Sequence, residues 1–477
     1  MTNNDDARAR LKRLRQELVG LDVEVPLLDG SKRRYVNLDN ASSTPTFRPV
    51  QEKVDEFLGF YSNVHRGTGF KSQIASWVFE EARRVVGRFV GADLEHDTVI
   101  FTKNTTESIN KLARIYPFRE NAVVITTMME HHSNELPWRR HAEVVHAGLK
   151  PDGSLDMDDF ARKLDEHRDR LDLVAVTGAS NVSGWVNPVH EMAAMTHKAG
   201  AKIVVDAAQL GPHRPILMKP PCEPDHLDFV AFSAHKMYAP YGVGALVGDR
   251  EALLAVEPET VGGGTVDIVT VDSVYWRDLP DREEAGTPDI VGVVALAAVI
   301  WLIEDIGWDA IIRHEEELTR YMLRKLADIP GLKIHGKMLA EDIDDRLGVV
   351  SFNVGDLPHA LVAAILSYEG AIGVRNGCFC AHPYMLCLLD VPDEDAAKVR
   401  TEIIGRDRSR IPGSVRASIG LYNDESDIDA LCDCLQKVAD GSYKGKYEVR
   451  RESGAYVPVG MPCFRFEEHF SLDPRRP

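Results

Sequence analysis

The stretch from Asp228 to Val247 reads DFVAFSAHKMYAPYGVGALV, and the fold of the chain follows from it. An apolar run, Phe229 to Phe232, has the composition of a buried strand and ends in Ser233, Ala234, His235 and Lys236. A loop with Pro240 and Gly242 follows, then a second apolar run from Val243 to Val247. Lysines after strands are usually solvated. A lysine desolvated at a strand end is different: burial lowers its pKa, and the neutral amine is a nucleophile toward carbonyl groups.

Working outward, Lys202 to Gln209 reads KIVVDAAQ, a β-branched run that delivers Asp206 at its end and Gln209 three residues on. Carboxylates at strand ends in α/β proteins face the ligand crevice. Two readings stand for Asp206: a helix cap or magnesium ligand, or an acid paired with the ring nitrogen of pyridoxal phosphate, which keeps that ring an electron sink.

Further short apolar runs, Thr98 to Thr102, Ala122 to Thr126 and Leu173 to Thr177, alternate with helical patterns. That alternation predicts an α/β domain with a largely parallel sheet. A charged helix is expected over 6–18, a short strand over 35–38, and an amphipathic helix from Ser72 to Val90. From about Thr287-Pro288 the chain enters an apolar helix, Val291 to Ile303, and then a strand-and-helix mix reading as a smaller α+β domain. The expected division is an extension over 1–34, a large domain over 35–300, a small domain over 301–440 and a tail over 441–477.

The formal net charge of −18 argues against binding a nucleic-acid backbone. No apolar run reaches the ~18–20 residues of a membrane span, and the start, MTNNDDARARLKRLRQEL, lacks an apolar signal core. A cytoplasmic protein is the expectation. Seven cysteines, an odd number spread over 477 residues, suggest free thiols in a reducing compartment rather than a disulfide framework.

Three more strand ends carry polar clusters. Asn104-Thr105-Thr106-Glu107 opens a helix; it reads as an ordinary N-cap or, beside Ser233 and His235, as a phosphate cradle. Met129-Glu130-His131-His132-Ser133-Asn134 offers a histidine pair, but HExxH is absent and no cluster completes a metal set, so no metal is expected. An imidazole stacked on a heteroaromatic ring suits His131 better. Asn181, in ASNVSG, is either a turn residue or a hydrogen-bond donor to a ligand oxygen.

The ordered series NTTES, MEHHSN, SNVSG, VVDAAQ, FSAHK, EAGTP, RNGCFCAHP and VRASIGLYN resembles the class V aminotransferase group of fold type I pyridoxal-phosphate enzymes. Within it the chain looks most like group II cysteine desulfurases and selenocysteine lyases, from about Tyr35 to Val438. The resemblance implies a seven-stranded-type, mostly parallel sheet sandwiched by helices, with the small C-terminal domain carrying a nucleophilic cysteine. It implies that Lys236 is the Schiff-base lysine, that Asp206 pairs with the pyridine nitrogen, that Gln209 bonds the ring phenolate and that His131 stacks on the ring. It assigns the phosphate to Thr105, Thr106, Ser233 and His235, with Thr287 reaching the phosphate of a neighbouring subunit in a homodimer. Arg416, Asn181 and Arg375 would surround the substrate carboxylate, a role suited to the arginine fork.

In the segment Arg375 to Pro383, Cys380 occupies the place of the desulfurase nucleophile, followed by a small residue, another residue and proline. The implied reaction takes L-cysteine to L-alanine, leaves a persulfide on Cys380 and passes the sulfur to an acceptor protein or thiol. The alternatives are another class V enzyme (selenocysteine lyase, C–S β-lyase, epimerase, hydrolase or aminotransferase) with Cys380 silent, a cofactor-free binding module, or a metal hydrolase on His131 and His132. Two departures from the family pattern stand out. Cys378 is an extra thiol where histidine is common, open to relaying sulfur, pairing with Cys380 or doing nothing. His382 is the other, following Ala381.

Overall fold

The computed structural model describes residues 2–65, 67–336, 343, 345–460 and 465–475, the side chains of 2–8 excepted. Seven strands form the large sheet: β1 Asp97–Thr102, β2 Val123–Thr127, β3 Glu143–Ala147, β4 Leu171–Thr177, β5 Lys202–Asp206, β6 Phe229–Ser233 and β7 Gly244–Asp249. Their order is β1-β7-β6-β5-β4-β2-β3. β7 runs antiparallel to both β1 and β6, and the remaining pairs are parallel. The expected α/β architecture with a mostly parallel sheet is therefore the one the chain adopts.

The sheet forms here because its strands are apolar on both faces. Along β5, Ile203 and Val205 enter one core while Val204 enters the other. β6 divides Val230 and Phe232 from Phe229 and Ala231 in the same way. A sheet covered on both faces needs near-continuous hydrophobic strands, whereas a half-solvated one would alternate. On one face lie helices α2 (Phe70–Phe89) and α4 (Ile290–Ile306); the other is covered around α3 (Thr105–Ile115) and Trp138. The apolar run read as a buried helix is α4, which ends at Gly307 and bends by 81° into a second helix. Among the described residues no single helix is long and apolar enough to cross a membrane.

The smaller sheet is wholly antiparallel, in the order β8 (Leu332–His335), β9 (Val349–Val354), β11 (Ser414–Ser418), β10 (Arg375–Gly377). Its core is closed by α5 (Trp308–Ala327), α6 (His359–Gly370) and α7 (Glu425–Ala439). α7 starts in a capping box of Asp424 and Asp427. The backbone over 372–377 divides between two pairings: Ile372–Gly373 pairs with Val36–Asn37, and Arg375 begins β10. Val36 and Leu38 consequently belong to the smaller core. The first helix, α1 (Thr2–Gln16), buries Leu11 and Leu14 in the larger one. The tail is ordered over Tyr447–Pro458 as an antiparallel hairpin, Tyr447–Arg450 with Ala455–Pro458. Cys463 lies outside the described residues.

Candidate active site

The carboxyl ends of the parallel strands point to one edge of the large sheet, and the loops leaving them line a cleft of about 410 Å3. β1 contributes Thr105 and Thr106, β2 contributes His131 and Ser133, and β4 contributes Asn181. Asp206 and Gln209 follow β5; Ser233, His235 and Lys236 end β6. The smaller sheet and the turn after β10 close the cleft with Arg375, Phe379, Cys380 and Arg416. Ligand crevices in open α/β sheets form at this edge. β7 enters the same edge from the opposite direction, and Gly244 opens it. A Cβ there would sit 2.8 Å from the Asn104 Cα and 2.7 Å from the Phe232 carbonyl, so only glycine lets these backbones approach.

Lys236 and Asp206 are the two charged ends of the cleft floor. The Lys236 amine makes no hydrogen bond to any described residue, and burial, with the positive charge of Arg416, brings its pKa down to about 8 against the pull of Asp206. Asp206 is buried and accepts one hydrogen bond, from Ala208 N–H at 2.9 Å. Burial pushes its pKa up, opposed by Lys236 and that N–H. A buried acid with so little donor support suits a cationic ring N–H, and a bare amine suits an aldehyde carbon. In those two respects the residues fit pyridoxal phosphate.

The polar rim fits its phosphate. Asn104 caps α3 by accepting Glu107 N–H at 2.9 Å, leaving the first turn facing the cleft. Thr105 N–H donates to Ser233 Oγ at 2.7 Å, and the two hydroxyls are also 2.7 Å apart. Thr106 Oγ1 lies 2.7 Å from Ser133 Oγ. Free N–H groups and the dipole at a helix start favour an anion. His235 is driven down to about 4 by burial and by Lys236. It can offer this rim a neutral imidazole.

His131 is kept neutral in the same way: burial, and then Lys236, lower its pKa to about 3. Its Nδ1 accepts Ser133 N–H at 3.1 Å, which fixes the ring's orientation. Gln209 donates one amide N–H to the Ala41 carbonyl at 2.7 Å and has a second to give.

The two arginines are held by groups that the sequence did not single out. Asp39 bridges them: Oδ1 lies 3.1 Å from Arg416 Nη2 and Oδ2 2.9 Å from Arg375 Nη2. Ser42 Oγ accepts from Arg416 at 2.7 Å and from Arg375 Nε at 3.1 Å. Arg416 Nη1 donates to the Asn181 carbonyl at 2.9 Å, and its Nε is buried with no partner among the described residues. Its guanidinium lies over the Phe379 ring, 4.9 Å from the centroid. The fork expected to be open for a carboxylate is thus engaged with Asp39. The turn DNASSTP reads as a run of capping residues, and only the packing of 39–42 beneath β11 reveals this role. Glu130 was missed as well. It is buried, pushed up to about 8 mainly by burial, and ties Thr127, Thr177 and Asn134 together at the strand ends.

Cys380 is exposed at the cleft mouth, whereas Cys378 is buried, faces a different cavity and donates its S–H to the Pro412 carbonyl at 3.0 Å. Burial lifts the Cys378 thiol to about 11. The six described cysteines are all free, so the Cys378–Cys380 disulfide left open by the sequence is not formed. Such a buried, protonated thiol is also ill suited to relaying sulfur. Thr287 is exposed and is not among the residues lining the chain's own cleft.

Among the described residues one cluster has metal-ligand spacing, His197, His226 and Asp228. It lies at the start of β6, away from this cleft, and Asp228 is already bonded to Lys202 at 3.0 Å and to Ile203 N–H at 2.9 Å.

The description of aminotransferases of class V matches residues 36–431. The chain belongs to the class V aminotransferase family. This class V chain is 36% identical over 429 residues to a probable cysteine desulfurase of Halalkalibacterium halodurans, covering 88% of this chain and 96% of that one. It is 36% identical over 427 residues to a cysteine desulfurase of Haloferax volcanii, covering 87% and 92%. Among solved structures it resembles the apo cysteine desulfurase of Thermococcus onnurineus, with a TM-score of 0.74, 34% identity and coverage of 85% and 95%. It also resembles an S-sulfonic acid form of a cysteine desulfurase of Escherichia coli, with a TM-score of 0.72, 27% identity and coverage of 90% and 98%.

Proposed function

We propose that this class V chain is a cysteine desulfurase that uses pyridoxal phosphate to convert L-cysteine to L-alanine, with Cys380 receiving the sulfur. The observation that carries the reading is the meeting of Lys236, Asp206 and Cys380 on one cleft, in a chain whose close relatives are named cysteine desulfurases. When bound, the cofactor supplies an electron sink for the charge released at the substrate's α-carbon.

The chain's own groups do the rest. Asp206 holds the ring N–H, Gln209 gives its spare amide N–H to the ring oxygen, and neutral His131 covers the ring face. Thr105, Thr106, Ser233 and His235 anchor the phosphate. The N–H groups of Arg416 and Arg375 not taken by Asp39 and Ser42, with Asn181, orient the substrate carboxylate. Lys236 Nζ, neutral in a useful fraction of molecules near pH 7, takes the α-proton and returns it. Cys380 Sγ then forms an S–S bond to the substrate sulfur as the Cβ–S bond breaks, and the three-carbon remnant, reprotonated, leaves as alanine. A thiol or a sulfur-acceptor protein collects the outer sulfur.

A homodimer belongs to the same proposal, with Thr287 completing the partner's phosphate site. Ile268, Val271 and Tyr275, exposed on the hairpin over 266–276, offer apolar surface for a second copy.

The test is product analysis. With L-cysteine and a thiol reductant, the cofactor-loaded protein should release alanine and sulfide in equal amounts. Cys380→Ala should abolish both while keeping the cofactor's visible absorbance, and Cys378→Ala should retain activity. Full turnover by Cys380→Ala would leave a lyase that does not use this thiol.

A further inference from the structure

The turn that carries Cys380 is held in an unusual shape. Phe379 and Cys380 both lie in the left-handed region, with φ of +52° and +56°. Two successive non-glycine residues stay there only when their surroundings enforce it. Before the cysteine, the anchor is Asn181, whose side-chain N–H donates to the Phe379 carbonyl at 2.8 Å. After it, the anchor is His132, which grips the turn twice. Its backbone N–H donates to the Cys380 carbonyl at 2.7 Å. Its ring Nε2 meets His382, 3.0 Å from Nδ1 and 3.4 Å from the backbone N–H. The two imidazoles lie nearly parallel, 6° apart with centroids at 4.8 Å.

We infer that His382 is a positioning residue for Cys380, acting through His132 to fix the strained turn that aims the thiol into the cleft. The hydrogen bonds set the protons. His132 Nε2 accepts the His382 backbone N–H, so it carries a lone pair, and His382 Nδ1–H donates to that same atom. His382 therefore restrains the His132 ring, and the His132 backbone restrains the Cys380 carbonyl. Without the His382 ring only the backbone half of this clasp remains. His382 lines the neighbouring cavity with Cys378 rather than the cleft that holds Lys236, so it works by placing the thiol and not by touching substrate.

This inference rests on the reading of Cys380 as the nucleophile, and the experiment separates the two. Cofactor-loaded full-length protein is compared with its His382→Ala, His382→Asn and Cys380→Ala variants for alanine release from L-cysteine, melting temperature and amide exchange over 378–382. For His382→Ala, kcat should fall about ten- to a hundredfold, the range expected when a reacting atom is misplaced by about 1 Å. KM, the cofactor spectrum and the melting temperature should hold, while amides of the turn exchange faster. His382→Asn, which keeps an N–H donor near His132 Nε2, should recover most of the rate. Wild-type turnover in His382→Ala with an inactive Cys380→Ala would overturn the inference and leave the nucleophile in place. Wild-type turnover in Cys380→Ala would remove the nucleophile itself. A loss shared by kcat, KM and melting temperature would make His382 a merely structural residue.

Discussion

An amine that loses its proton near pH 8 instead of 10.5 changes how the protein captures its cofactor. At pH 7 about one Lys236 in ten is neutral, about 300-fold more than for an amine titrating at 10.5. Stripped protein mixed with excess pyridoxal phosphate should develop visible absorbance at a rate that climbs about tenfold per pH unit from pH 6, bends near pH 8 and then levels, because only the neutral amine attacks. The two charged neighbours move the bend in opposite directions. Asp206→Asn removes the charge that stabilises the ammonium and should shift it below 8. Arg416→Gln removes a repelling charge and should shift it above 8. Titration of the cofactor itself is common to all three proteins and drops out of the comparison. A rate still rising through pH 10 in the wild type, or bends that do not separate between the two variants, would refute a desolvated lysine poised between these groups.

Gly244→Ala should cost about 1–3 kcal/mol in chemical unfolding, because its Cβ would overlap the backbones of Phe232 and Asn104, and should weaken cofactor retention as the start of α3 shifts. Arg416→Lys should raise KM for L-cysteine about tenfold or more with the cofactor spectrum unchanged, since an ammonium cannot reproduce the planar fork held by Asp39, Ser42 and Asn181. An unchanged KM would remove Arg416 from carboxylate binding.

Much of this arrangement was legible in the residues. β5 and β6 are apolar over 203–205 and 229–232 and then give way abruptly to Asp206 and, past Ser233, to Lys236, so their ends stand out as chemistry. β3 escaped notice because Glu143-Val-Val-His-Ala is an edge strand, half-covered and interrupted by Glu143 and His146. The tail hairpin escaped for the same reason: Tyr447–Arg450 is only partly buried and has a weak apolar signal. Asp39 and Ser42 were invisible as site residues because a capping turn is written in the same letters as a clasp for arginines. The separate fates of the two thiols depend on the left-handed turn at Phe379 and Cys380, a backbone choice that no side-chain pattern announces. The unfamiliar His382 was visible as a departure from the family, but its partner, His132, lies 250 residues away.

Asp39 gives the pocket a built-in rehearsal of its guest. With one oxygen on each guanidinium, the resident acid already plays the part of an amino acid's own carboxylate, so Arg375 and Arg416 stay aligned between turnovers. In the proposed reaction an arriving carboxylate would join Asp39 on these cations, so that two negative charges face two positive ones. An ester, an amide or a decarboxylated amine would leave one guanidinium uncompensated, and on the proposed reading the pocket would disfavour it without any steric bar.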